Sequence, residues 1–139
     1  MSELNQQYKI TFDEGLFGFE NNKEFIPVAF DENSDAMIAL HSVETQGLSF
    51  VIMNPFMLKE DYNPCVPESE LKSLGENSDN KYSWYVICVV KNPVGESTVN
   101  LKCPIVVNPY TRKAKQVILS DSRYSLRHTL NQLTQKEKE

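Results

Sequence analysis

The chain contains few of the residues from which catalytic centres, metal sites and disulfide frameworks are built. Its 139 residues include three cysteines, two histidines and five glycines. The cysteines are an odd number at wide spacing and none belongs to a C-x-x-C pair, so neither a disulfide framework nor a zinc site is predicted. The motifs G-x-x-x-x-G-K-[ST], G-x-G-x-x-G and G-x-S-x-G are also missing. We therefore predict no catalytic residue, no metal site and no cofactor.

Positive charge and long apolar runs are scarce as well. Lys and Arg number 14 against 19 Asp and Glu, which gives a formal net charge of −5, and no basic run offsets it. Because phosphate backbones repel such a surface, direct nucleic-acid binding is not expected, whereas a basic protein partner is the electrostatic complement. No apolar stretch approaches the roughly 18 residues of a membrane-spanning helix, and the first eight residues do not resemble a signal peptide. We expect a cytoplasmic protein without membrane contact.

The cysteines and histidines that are present fit structural roles. Cys88 and Cys103 lie inside apolar runs, where a free thiol packs as a small core residue. Cys65 lies between a proline and a valine, which indicates a loop. A cysteine nucleophile requires a neighbouring histidine, and the sequence leaves a pair of Cys65 with His41 open.

The strongest pattern in the chain is an alternation of apolar and polar residues with a period of two, which is typical of β-strands. Strands are predicted in residues 8–12, 25–30, 37–43, 48–53, 84–90, both halves of 98–108, and 116–119. Pro27 indicates an edge or a bulge, and Pro104 a bend between two strands. About eight short strands with regularly spaced turns are typical of an antiparallel barrel or sandwich.

Two segments carry helix signals instead. Residues 67–75 have a proline near the start, acidic residues in the first turn and a glycine after the last leucine, which predicts about two helical turns. A second amphipathic helix, capped by Asp121 or Ser122 and frayed over its last five or so residues, is predicted from leucines at i, i+4 and i+7. These leucines are Leu126, Leu130 and Leu133. We therefore expect a mainly β, small antiparallel β-barrel-like single domain spanning residues 1–139, with one or two short helices.

Aromatic and acidic residues are concentrated in two predicted loops. Loop aromatics are either buried anchors or contacts at a protein interface, where they dominate the binding energy. The acidic residues in these loops are typical of a solvated face. The aromatic residues concerned are Phe17, Phe19, Phe56 and Tyr62.

Several motifs, in this order along the chain, resemble the flagellar assembly factor FliW family. Residues 12–20 resemble its F-x-x-G-[LI]-P-G-F element, and residues 98–101 with 104–108 and 116–119 resemble its C-terminal half. Residues 40–42, 50–52, 54–56, 61–62 and 124–130 resemble further segments. Each motif is weak, but their collinear order is specific. Phe17 replaces the usual proline, so the backbone of that turn can differ, and Cys103 replaces a common alanine.

The resemblance implies a cytoplasmic, non-enzymatic β-barrel-like protein with two protein partners. It would hold flagellin before export, and it would bind the translational repressor CsrA and so relieve repression of flagellin synthesis. We expect the partner-binding residues to be loop acids and aromatics: Glu14, Phe17, Glu20, Phe56, Glu60, Asp61 and Tyr62. The alternative is a β-barrel that binds a small ligand or carries an unrecognised hydrolytic site in its interior.

Overall fold

The computed structural model describes residues 9–31 and 34–133. Within them, nine strands are β1 (Ile10–Phe12), β2 (Glu24–Asp31), β3 (Ser34–Ser42), β4 (Ser49–Met53), β5 (Ser83–Val89), β6 (Thr98–Val99), β7 (Ile105–Asn108), β8 (Lys113–Gln116) and β9 (His128–Thr129). The helical segments are α1 (Pro55–Leu58), α2 (Glu68–Lys72), a 3-10 turn (Val94–Glu96), and α3, which begins at Leu130 and is described as far as Leu133. The mainly β fold class is confirmed.

Seven of these strands close into a barrel, in the order β1-β2-β3-β4-β5-β7-β8. Most neighbours are antiparallel, as expected, but the closing pair of β1 with β8 is parallel and joins Thr11 to Lys113. β5 pairs with three strands: with β4 along one edge, and with β7 and then β6 along the other. β9 adds to the outer edge of β6. β6 and β9 therefore extend the barrel wall rather than close it.

The barrel interior is filled with large apolar side chains. Strands β1 to β4 and β7 contribute the fully or almost fully buried residues Phe12, Phe25, Leu40, Ile52 and Ile105. The rings of Phe12 and Phe25 meet edge to face, with their centroids 5.4 Å apart. Alternation along each strand brings these residues to one face. The space in which the alternative of a small-ligand barrel would place its ligand is occupied by core side chains.

A second apolar cluster covers the outer face of β5. Val86 and Cys88 pack there against Val99, Leu101 and residues of the C-terminal segment. Cys103 is buried as well, so the prediction that both thiols are core residues is confirmed. β5 is covered on both faces over residues 85–88, but its last residue, Val89, is 55% exposed.

The final strand of the predicted series is displaced. The apolar run 116–119 was expected to be a strand, but β8 ends at Gln116 and the three following residues lie outside it. Val117 N donates to Pro104 O at 3.0 Å and Leu119 N donates to Lys102 O at 2.8 Å. The run therefore lies beside the loop before β7 and buries Val117 and Leu119, whereas Ile118 is 65% exposed. The ladder uses the more polar residues 113–116 instead.

The C-terminal helix begins later than its leucine spacing predicts. It begins at Leu130, and the cap is Thr129 rather than Asp121 or Ser122. Thr129 Oγ1 accepts from Gln132 N at 3.1 Å and Gln132 Oε1 accepts from Thr129 N at 3.2 Å, which is a reciprocal capping box. Leu126 lies before the helix and is 59% exposed. The predicted frayed end and the start of the first predicted strand lie outside the described residues.

Loops around the barrel are held by side chains that bond to backbone. Asn108, fully buried, donates through Nδ2 to the carbonyl oxygens of Leu74, Gly75 and Glu76 at 3.0–3.3 Å. Asn54 Oδ1 accepts from Phe56 N at 2.9 Å and caps α1, a short helix that the sequence pattern did not predict. Both asparagine side chains therefore satisfy backbone groups. The predicted helix in 67–75 is confirmed as α2, although it is shorter.

Candidate functional site

The loop between β1 and β2 presents two aromatic side chains on a tight turn. Phe19 N donates to Leu16 O at 2.8 Å, and Gly18 has a φ of 87°, which together indicate a type II turn over residues 16–19. Leu16, 1% exposed, anchors the turn in the barrel, while Phe17 and Phe19 are 48% and 40% exposed. This turn type favours proline at its second position, so phenylalanine at position 17 requires no different backbone.

Phe17 is held in place by Gln116 at the end of β8. Its backbone N donates to Gln116 Oε1 at 2.9 Å, and Gln116 Nε2 donates to Cys103 O at 3.2 Å. Gln116 is only 7% exposed, so both ends of its amide are satisfied inside the protein. Proline has no N–H to donate, so this bond is available only because residue 17 departs from the family pattern. Sequence reasoning missed Gln116, because it reads as an ordinary strand residue.

An open groove of about 350 Å³ runs beside this turn. The ring of Phe19 packs edge to face on Phe50, with a centroid distance of 5.0 Å. Val89 and Leu126 contribute apolar side chains to the groove, and these side chains are 55% and 59% exposed. We call this feature the aromatic groove, and its principal lining residues are Phe17, Phe19, Phe50, Val89, Leu126 and Arg127.

A second groove of about 430 Å³ lies on the other side of Phe17 and Gln116. Lys115 lines this groove, and its Nζ lies 3.0 Å from Glu70 Oε1 and 3.7 Å from Glu14 Oε2. These ion pairs join the β1–β2 loop to α2 across β8. Ile118, 65% exposed, lines the same groove. The predicted site residues Glu14 and Phe17 therefore lie around one groove, with Glu14 already bound to a lysine.

Glu20 forms a hydrogen bond within the same loop. Its Oε2 accepts from Gly18 N at 3.0 Å, and this bond is the main reason that the pKa of the Glu20 carboxyl lies below its usual value. The carboxylate is exposed. Glu20 thus stabilises the turn and still presents negative charge to solvent.

The remaining predicted residues lie on the loop that follows β4, and one of them is not on the surface. Tyr62 was expected to contact a partner, but it is 3% exposed and its hydroxyl donates to Leu101 O at 2.7 Å. Burial raises the pKa of this hydroxyl. Its ring packs on that of Tyr124 at a centroid distance of 4.8 Å. Tyr62 is therefore a buried anchor, and the expectation that it contacts a partner is wrong.

The other three predicted residues between β4 and α2 are exposed. Phe56 is 38% exposed and its ring centroid is 5.9 Å from that of Tyr62. Asp61 Oδ1 lies 2.8 Å from Lys59 Nζ, and this hydrogen bond lowers the pKa of the Asp61 carboxyl. Glu60 is exposed. None of these three lines either groove, so the predicted residues divide between two surfaces.

The described residues offer little for covalent or metal chemistry. Among residues 9–31 and 34–133, no group of three or more His, Cys, Asp and Glu side chains is arranged to hold a metal ion. Burial raises the pKa of the thiols of Cys88 and Cys103, which lowers their reactivity. Cys65 is exposed. No helix in this part of the chain has the length and hydropathy to cross a membrane.

Comparison with known proteins gives consistent matches. The family model described as FliW protein matches residues 1–130. The flagellar assembly factor FliW of Caldicellulosiruptor bescii is 38% identical over 128 residues, which cover 92% of this chain and 83% of that protein. That of Symbiobacterium thermophilum is 37% identical over 121 residues, covering 87% and 88%. A crystal structure of the flagellar assembly factor FliW matches with a TM-score of 0.81 at 32% identity, covering 90% of this chain and 86% of that one. The resemblance predicted from the ordered motifs is confirmed.

Proposed function

The chain belongs to the FliW family, and we propose that it acts in flagellum assembly as a cytoplasmic, non-enzymatic protein with two protein partners. It binds flagellin before export, and it binds and antagonises the repressor CsrA. When this protein is free of flagellin, it binds CsrA and so relieves repression of flagellin synthesis. When flagellin accumulates, it binds this protein instead, and CsrA is released.

The observation that carries the proposal is the exposed apolar surface around Phe17. Contiguous exposed apolar residues on a folded domain mark interaction sites. Here the surface lies on a closed barrel, and the backbone N of Phe17 is held by a 2.9 Å hydrogen bond to Gln116 Oε1. Flagellin, as the family resemblance implies, offers apolar helix-forming terminal segments, and grooves of this kind accept amphipathic helices.

The negative net charge of the protein supports the proposal that CsrA is its second partner. The net charge is −5, and Glu60 and Asp61 are exposed on a loop anchored by Tyr62. A basic RNA-binding protein is the electrostatic complement of such a surface, since complementary charge speeds encounter and selects the partner. A negative surface docked beside an RNA site also weakens phosphate binding without covering the site.

The test is co-elution of the purified protein with flagellin monomer and with CsrA in gel filtration. We expect a complex with each at micromolar concentration in moderate salt, and displacement of CsrA by excess flagellin. Phe17→Ser should weaken the flagellin complex, while Val43→Ser, a matched change at a residue with 49% exposure outside both grooves, should not. Failure to bind either partner would overturn the proposal.

A further inference from the structure

We propose that the aromatic groove takes the apolar face of one amphipathic partner helix, and that a carboxylate of this helix pairs with Arg127. The inference rests on the proposed function, because flagellin is the partner that offers apolar helices. It deepens that function by assigning the flagellin contact to one surface. The basic partner, CsrA, then takes a different surface.

The positive charge of Arg127 in the groove favours a partner segment that carries a carboxylate. Among the described residues that line the groove, Arg127 is the only charged one, in a protein whose net charge is −5. Within the described part of the chain no acidic side chain pairs with Arg127, whereas nearby Arg123 lies 2.7 Å from Asp121. An arginine covered by a partner requires a carboxylate, because an unpaired charge is expensive to bury. A polybasic segment would meet repulsion at this position.

The sheet around the groove favours a helix over an added strand. A strand binds by pairing with an open sheet edge. The four strands that line the groove, β4, β5, β6 and β8, each have neighbours on both edges. Backbone groups are therefore not offered to a partner there, and recognition depends on side chains. Phe17, Val89 and Leu126 are anchors that can meet apolar residues spaced at i, i+3, i+4 and i+7 along a helix.

Parts of the aromatic groove are already held in position before a partner binds. Phe19 is packed against Phe50, and the turn that carries Phe17 is bonded to Gln116. Side chains that are already ordered lose less conformational entropy when a partner binds. The expected consequence is that substitutions in the groove act mainly on the dissociation rate of the complex.

The experiment measures the affinities of flagellin monomer and of CsrA for two pairs of matched variants. Leu126→Gln removes an anchor, and Val94→Gln is its control, since both residues are 59% exposed and Val94 does not line the groove. Arg127→Glu reverses the groove charge, and Lys91→Glu makes the same net change at an exposed residue outside it. Circular dichroism melts check that all four variants fold.

We expect Leu126→Gln and Arg127→Glu each to weaken flagellin binding about tenfold, with the two controls and all CsrA affinities within about twofold of wild type. Wild-type flagellin affinity in both groove variants would overturn the inference and leave the proposed function intact. An equal effect of Arg127→Glu and Lys91→Glu would overturn the carboxylate contact, and a matching loss of CsrA affinity would overturn the separation of surfaces. A wild-type protein that binds neither partner would overturn both proposals.

Discussion

At the scale of single residues, the most informative side chain is one that was not among the predicted site residues. Gln116 accepts from the backbone of Phe17 and donates to the backbone of Cys103, so one buried amide joins the β1–β2 loop to the loop before β7. An amide is suited to this position because it offers a donor and an acceptor at the same time. The exposed aromatic residue thus depends on a residue that no partner needs to touch.

Gln116→Ala should lower the free energy of unfolding by about 1–3 kcal/mol, because it leaves the buried Cys103 carbonyl and the Phe17 N–H without partners. Denaturant titration measures this loss. Gln46→Ala, at an exposed turn position, is the control and should change stability by less than about 0.5 kcal/mol. Equal stability of the two variants would contradict the assigned role of Gln116.

The pH dependence of one surface ion pair can be predicted from its geometry. Hydrogen bonds from Arg123 lower the pKa of Asp121 from 3.8 to about 2. Because the folded pKa is depressed, the stabilisation is complete above pH 3.8 and is lost as the pH falls towards 2.

NMR titration of the side-chain carboxyl carbon should therefore give Asp121 a midpoint near 2, and Arg123→Gln should raise this midpoint towards the ordinary value. Lys9→Gln, which changes charge at another ion pair, should leave the midpoint unchanged. An unshifted Asp121 in the Arg123→Gln variant would show that Arg123 is not the cause.

At the scale of elements, the β1–β2 loop has a backbone path that only one residue type can follow. Gly15 has a φ of 69°, and a Cβ added there would lie 2.6 Å from the Cα and carbonyl oxygen of Glu20. The carboxylate of Glu20 closes the same loop on Gly18 N. The glycine is therefore required both by conformation and by the close approach of two backbone segments.

Gly15→Ala should destabilise the protein by roughly 3 kcal/mol, from the left-handed backbone and the steric overlap together. Gly47→Ala separates the two causes, because Gly47 has a φ of 88° but no atom within 4 Å of its added Cβ. That variant should lose only about 1–2 kcal/mol. Thermal or denaturant unfolding compares them, and equal losses would exclude steric overlap as a cause.

At the scale of the whole molecule, the barrel places the predicted site residues on two different surfaces. The aromatic groove lies between the β1–β2 loop and the segment before β9, whereas Phe56, Glu60 and Asp61 lie on the loop between β4 and α2 and line neither groove. Lys59 already pairs with Asp61 at 2.8 Å. The pair reduces the charge that Asp61 offers to a basic partner, so Glu60 should contribute more of the attraction.

Glu60→Lys combined with Asp61→Lys should weaken CsrA binding about tenfold, by reversing the local charge. The melting temperature should change by only a few degrees, since exposed ion pairs contribute about 0–1 kcal/mol. Glu76→Lys with Glu96→Lys makes the same change in net charge at other exposed positions and should weaken CsrA binding less. A large loss of stability with unchanged affinity would remove the first pair from the interface.

The sequence alone determined the mainly β fold class, the buried positions of Cys88 and Cys103 and the family resemblance. Strand period and apolar runs are local properties, so they can be read within about ten residues. The segment 98–108, which contains two of the family motifs, is scaffold: it forms β6 and β7 with buried Pro104 between them.

Only the tertiary structure decided which loop residues are available to a partner. Tyr62 is buried because its hydroxyl reaches a carbonyl 39 residues away, and Phe17 is held by a side chain 99 residues away. Leu126 is exposed because β9 intervenes before α3 begins. Sequence patterns report how a residue relates to its near neighbours, whereas exposure of a loop residue depends on which distant segment covers it.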